Sequence, residues 1–229
     1  PDVVSQLIYD KLMDDKPCMI ARFGSTELSC LMNYLSVKES KIKVIDYIKG
    51  DAHPWWWDKS ILNQMQMWSG FFPPTIENIE RFCEQMLKDI QEIDILGSWL
   101  KDEIQFEREL EKSIKVEFEL LNPYFSDNPW SKSLKGKKVL IVHPFTNTII
   151  EQYKNRDKLF NNKDILPEFE LKTVRAIQSL AGEKTDFNNW FNALDFMKSE
   201  IDKQDYDICL VGAGAYGLPL AAHINSHGK

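Results

Sequence analysis

A repeated change of hydrophobic period limits this chain more than any other feature. Short apolar runs such as VLIVH (residues 139–143) alternate with stretches spaced like a helix, as in Ile76, Ile79, Phe82, Met86, Ile90 and Ile93. A short apolar run suits a strand buried on both faces, and a three-to-four-residue spacing suits a helix resting one face on a core. Their alternation predicts an α/β fold: a Rossmann-like, mainly parallel sheet of about six strands flanked by helices. The clearest strands are residues 18–23, 93–97, 139–143 and 207–212, with weaker candidates at 42–48, 116–121 and 169–176.

Thr75 is the expected N-cap of the helix carrying the isoleucine stripe. Another helix is expected from about 187 to 203, with Trp190, Leu194, Met197 and Ile201 on one face. Others follow Ser25, Asp102 and Thr146, and the last begins near Gly217, where Pro219 is tolerated in a first turn. Residues 49–74 interrupt the rhythm with four tryptophans, a candidate insertion or lid within a single domain spanning 1–229. The irregular stretch 122–138 is expected to join the two halves of the sheet.

The formal net charge of −7 argues against a general nucleic-acid binder, which needs a basic face. Cys18, Cys30, Cys83 and Cys209 are scattered with no CxxC pair, which predicts free thiols in a reducing, cytoplasmic setting. The longest stretch free of Asp, Glu, Lys and Arg, residues 208–228, holds several glycines and Pro219. It reads as strand, turn and helix rather than as a membrane span.

Three strand-to-turn junctions carry the candidate chemistry. In IARFGSTEL (20–28), Arg22 lies within an apolar run, and an ion taken out of water needs a partner, from the protein or from a ligand. Gly24 ends the strand, Ser25 can cap the next helix, and Glu27 falls in its first turn, where the dipole favours a carboxylate. In VGAGAYG (211–217), Gly212, Gly214 and Gly217 fit G-x-G-x-x-G between a strand and a helix. That context suits a phosphate or nucleotide, while a tight turn packing a helix on a sheet is the alternative. The acidic residue of a dinucleotide-binding unit, roughly 20 residues further on, would lie beyond Lys229. His143 leaves its strand just before Pro144, as a ligand contact, a proton carrier or a structural residue.

Other features say less. His223 and His227 stand four apart, but Ile224 follows the first where a metalloprotease helix needs Glu. Trp55, Trp56 and Trp57, with Phe71 and Phe72, suit either stacking on a sugar or an apolar acceptor, or packing under a loop. The charged run 101–115 reads as a solvated helix face.

Taken together, IARFGSTEL, KGKKVLIVHPF (135–145) and YDICLVGAGAYGLPLAAHI (206–224) resemble the GT-D type glycosyltransferases, whose first strand ends in R-F-G-D-G-E. The likeness runs from Ile20 to Gly228 and points to a branch with R-F-G-S-T-E. It implies a Rossmann-like sheet, a nucleotide-sugar donor (a UDP-sugar first) and a glycan or glycoprotein acceptor. It also implies a divalent metal, Mn or Mg, served by a D-x-E motif. Arg22, Gly24 and Glu27 match that motif, and Ser25 stands where its aspartate would be. On this resemblance Arg22, Gly24, Ser25, Gly212, Gly214, Tyr216 and Gly217 hold the donor, and Glu27 and His143 are catalytic, with Glu27 also the metal ligand. A nucleotide-binding module without catalysis and an NAD(P)-dependent oxidoreductase are the alternatives.

Overall fold

The structure, a computed structural model, describes residues 1–14, 16–39 and 41–228. The first half runs α1 (Asp2–Met13), β1 (Ile20–Ala21), α2 (Ser25–Glu39), α3 (Val44–Lys49), α4 (Lys59–Ser69), α5 (Ile76–Asp89), β2 (Ile95–Ser98) and β3 (Ile114–Glu117). The second runs β4 (Lys138–His143), α6 (Thr146–Tyr153), α7 (Arg156–Leu159), β5 (Glu170–Arg175), α8 (Trp190–Asp202), β6 (Ile208–Val211) and α9 (Gly217–Ser226). The strands are all parallel, but they form two three-stranded sheets, β1-β2-β3 and β5-β4-β6, rather than one continuous sheet. Residues 118–137 connect the two, a span that holds all but the last residue of the stretch 122–138 expected to link the halves.

The central strand β4 shows why this half folds as it does. Leu140 and Val142 enter the main core while Val139 and Ile141 join a cluster with Leu134 and Phe169 on the other face. A strand covered on both sides must be apolar at every position, and VLIV is. The main core packs residues from both sheets (Leu96, Leu140, Val142, Val174) against Leu28 and Leu31 of α2, Phe82 and Met86 of α5, Met197 of α8 and Leu220 of α9. Helix burial, rather than a strand ladder, therefore joins the two sheets. Thr75 caps α5 by accepting from the Asn78 N–H at 3.3 Å. The stripe beneath it is buried except for Ile76 at its start.

Four expectations fail locally, the first being the strand expected at 116–121, where β3 stops at Glu117 and Phe118–Leu121 turns into a 3-10 helix. Strand 18–23 shortens to two residues, because β1 has a ladder partner on one edge, β2, and Arg22 already turns outward. Residues 42–48 are not a strand: α3 forms there instead and ends on Gly50 in the left-handed region (φ 76°). Its apolar residues meet no neighbouring strand and none is buried, so apolar content alone could not decide the period. The run 101–115 is no solvated helix face, since Lys101–Phe106 is a 3-10 helix with Glu103 and Phe106 buried.

The tryptophan-rich segment is tied into the fold by one buried asparagine. Asn33 of α2 donates to the Pro54 and Trp56 carbonyls, both at 2.9 Å, and accepts from the Asp58 N–H at 3.1 Å. Met65 and Phe71 then enter the main core. Trp55 and Trp56 pack edge-on with Tyr47, and Trp57 packs beside Tyr34. Among the described residues no helix is long and apolar enough to cross a membrane.

Candidate functional site

Two strand-to-helix junctions meet at the C-terminal ends of β1 and β6. There Arg22, Gly24, Ser25, Thr26 and Glu27 share the wall of a cavity of about 500 Å³ with Gly212, Ala213, Gly214 and Gly217. Cys209, Val211, Met86 and Leu218 supply the apolar part of the wall, and Trp68 and Ser69 a further side. The first N–H groups of a helix have no partner within it, and the peptide dipoles leave them partly positive. In α2 the first internal bond is Leu28 N–H to the Gly24 carbonyl, so the N–H groups before it are free of the helix ladder. The start of α9 borders the same space.

Arg22 is not the buried ion its neighbours suggested. Its side chain is exposed, and Nη1 donates to the Phe23 carbonyl at 3.1 Å. The guanidinium carbon lies 5.6 Å from the Phe118 ring centroid and 6.0 Å from that of Trp99, the outer limit for cation–π attraction. No carboxylate lies within ion-pair distance of Arg22 among the described residues. Glu27 is not its partner. The Glu27 carboxylate folds back over Gly24, where a Cβ would sit 1.9 Å from Oε2. Ser25 is the first residue of α2 rather than its cap.

The glycine turn is fixed from two sides. Gly212 lies against the His143 ring, with a Cβ there 2.8 Å from Cδ2. Gly214 has φ +55° and approaches the Ser69 carbonyl, which a Cβ would meet at 3.1 Å. Gly217 faces open space and has helical φ. Gly214→Ala is therefore expected to cost about 1–2 kcal/mol, the scale of a left-handed non-glycine residue. Gly217→Ala should change stability by less than about 0.5 kcal/mol. Parallel melts of the two variants check this, and equal losses would contradict it.

Two candidates fall outside the cavity wall. His143 Nδ1 accepts from the Phe145 N–H at 3.1 Å, which places the ring proton on Nε2 and makes that edge a donor. Tyr216 is a core residue: its ring stacks on Trp190 at 4.9 Å and 10°, and its hydroxyl is 3.4 Å from Ser179 Oγ. Burial pushes the Tyr216 phenol up to about 12 and the Cys209 thiol likewise to about 12, so neither is ionised at neutral pH.

His223 and His227 are spoken for. His223 Nε2 pairs with Asp202 at 2.9 Å, and His227 Nδ1 meets the His223 carbonyl at 2.8 Å. Among the described residues no group of three or more His, Cys, Asp and Glu side chains is placed to hold a metal.

Sequence reading missed the aromatic residues that flank Arg22. Trp99 Nε1 donates to the Phe23 carbonyl at 2.9 Å, fixing the indole beside Arg22. Buried Glu103 orders that turn by accepting from the Trp99 and Leu100 N–H groups, each at 3.2 Å, and from the Ser98 hydroxyl. The available signal was SWL directly after a strand, an aromatic at a strand's C-terminal end. Compared with protein-family models, curated proteins and solved structures, the chain matches none.

Proposed function

We propose that the protein is a glycosyltransferase of the GT-D kind, moving a sugar from a nucleotide-sugar donor, a UDP-sugar first, to a polysaccharide or glycoprotein acceptor. One observation carries the reading: the Arg22–Glu27 and Gly212–Gly217 junctions, far apart in sequence, line one cavity. On this reading the two sheets are halves of one Rossmann-like layer, ordered β3-β2-β1-β6-β4-β5, with the ligand where β1 meets β6. A cavity of about 500 Å³ is of the size that takes a drug-sized ligand.

Arg22, whose one hydrogen bond among the described residues is from Nη1 to the Phe23 carbonyl, and the N–H groups before Leu28 in α2 would take the diphosphate, since a guanidinium and N–H groups outside the helix ladder are strong donors to phosphate oxygens. Glu27, without a hydrogen-bond partner among the described residues, is the candidate base. The acceptor oxygen bonds to the anomeric carbon as the bond from that carbon to the phosphate oxygen breaks. The electron pair leaves on the diphosphate, and the acceptor proton passes to Glu27.

A divalent metal does not fit this donor set. Glu27 is the carboxylate of the described wall, Ser25 replaces the second, and hard cations take several oxygen ligands. No step is routed through one. The lone carboxylate also supports a second reading, a nucleotide-binding module without catalysis.

Arg22→Met tests the site. The side chain is exposed and unpaired by carboxylate, so melting should move by less than about 0.5 kcal/mol. UDP affinity by calorimetry should fall by about 1.5–3 kcal/mol, the scale of a charge-assisted hydrogen bond. Unchanged UDP binding would remove the anchor, and tight NAD binding without response to UDP or GDP would favour the oxidoreductase.

A further inference from the structure

Beside the large cavity lies a smaller hollow of about 110 Å³, bordered by Pro144 just past β4 and by Ile177 and Gln178 just past β5. The two spaces share Trp68, Ser69, Ala213 and Gly214, so Trp68 belongs to the wall of both. Its side chain is 67% exposed, takes part in no ring pair and makes no hydrogen bond among the described residues. A tryptophan so exposed buries little apolar area and adds little to folding. Its mounting is nonetheless firm. The next residues, Ser69 and Gly70, are held by the close approach of Gly214 and by Ser179 Oγ, which donates to the Gly70 carbonyl at 2.5 Å.

Gln178 faces the same hollow, half-buried, with a side-chain amide that has no hydrogen-bond partner among the described residues. A flat apolar ring beside an amide offering both donor and acceptor matches a sugar: the C–H face of a pyranose lies on the indole and its hydroxyls meet the amide. The hollow is open on one side, which leaves room for a longer glycan.

We propose that Trp68 and Gln178 form an acceptor subsite that seats one pyranose ring next to the diphosphate cavity. The subsite rests on the glycosyltransferase reading for its role, while sugar binding itself can be measured separately.

The test uses the full chain labelled with 5-fluorotryptophan, which gives seven fluorine signals for the seven tryptophans. Loss of one signal in Trp68→Phe assigns Trp68. Methyl glucoside, methyl galactoside and methyl N-acetylglucosaminide are titrated singly, and UDP and inorganic pyrophosphate in separate runs. At least one glycoside should move the Trp68 signal. Trp68→Ala and Gln178→Ala should each weaken that glycoside about tenfold, and Trp68→Phe less, while Gln178→Ala, outside the donor cavity wall, keeps pyrophosphate binding within about twofold. Trp68 is exposed enough that its alanine variant should fold, which a melt checks. If UDP binds and no glycoside moves Trp68, the subsite is wrong and the donor reading stands. A Trp68 signal that moves with UDP alone makes the ring a base platform and also overturns the subsite. If neither UDP nor pyrophosphate binds, the donor reading fails, and a glycoside shift at Trp68 still upholds the sugar site.

Discussion

Trp190→Ala is expected to destabilise the protein by about 3–5 kcal/mol, the range for removing a large aromatic from a packed core. Trp190 is fully buried at the start of α8, where it meets the aromatic residues of three other segments. Its ring stacks on Tyr216 and lies 5.3 Å from Phe71, 5.4 Å from Phe82 and 5.1 Å from Phe191. The backbone N–H of Trp190 also donates to the Phe72 carbonyl at 2.7 Å, so the surrounding chain is held and cannot readily collapse into the space left. The indole N–H is buried with no partner among the described residues, so Trp190→Phe should cost clearly less, because it discards an unsatisfied donor as well as volume. Tyr216 belongs to the glycine turn, so the alanine variant should also bind UDP more weakly. Urea unfolding of both variants decides the matter. A loss below about 1 kcal/mol for alanine would mean the core repacks around the gap.

Stability is also expected to fall as pH rises through about 6, because of Asp89 at the end of α5. Its side chain is 7% exposed; Oδ1 accepts from Gln85 Nε2 at 2.6 Å, while Oδ2 is buried without a partner among the described residues. Burial pushes the carboxyl up from 3.8 to about 6, against the opposing pull of the Gln85 amide and the Lys198 charge. The folded pKa lies above the unfolded one, so the folded state binds the proton more tightly. The stabilising contribution is complete below about pH 4 and is lost as pH passes 6. The gap between 3.8 and about 6, at about 1.36 kcal/mol per pH unit, sets the scale at about 3 kcal/mol. Asp89→Asn removes the titration and should be the more stable form at pH 8. Urea midpoints of wild type and variant at pH 4, 6 and 8 measure the difference. Parallel pH profiles for the two proteins would show that Asp89 is not the group responsible.

Of the functional residues, those set by chain direction were legible, and those set by packing were not. Gly212 follows β6 directly and Gly24 lies between β1 and α2, each after an apolar run, and both reach the cavity. Tyr216 lies between two of these glycines in sequence, but its ring turns inward onto Trp190, a contact between residues far apart in the chain. His143 ends its strand as expected, yet the Phe145 N–H claims Nδ1 and Gly212 lies between the ring and the cavity. In the sequence Trp68 is one of four tryptophans in residues 49–74. Its place in the cavity wall depends on how the end of α4 meets the 213–216 turn and Ser179.

By itself the sequence determined the class of fold. Its apolar periods specify parallel strands alternating with helices, and Thr75, Asn189 and Gly70 mark helix boundaries through local hydrogen bonds or backbone conformation. Those are short-range effects that a few neighbouring residues settle. The tertiary structure alone decided that the strands divide into two sheets, that Arg22 is exposed and that two remote turns share one cavity. Each of these depends on which surfaces meet across long sequence separations. Burial energy is set by the area two elements remove from water together, and a linear pattern does not specify the partner.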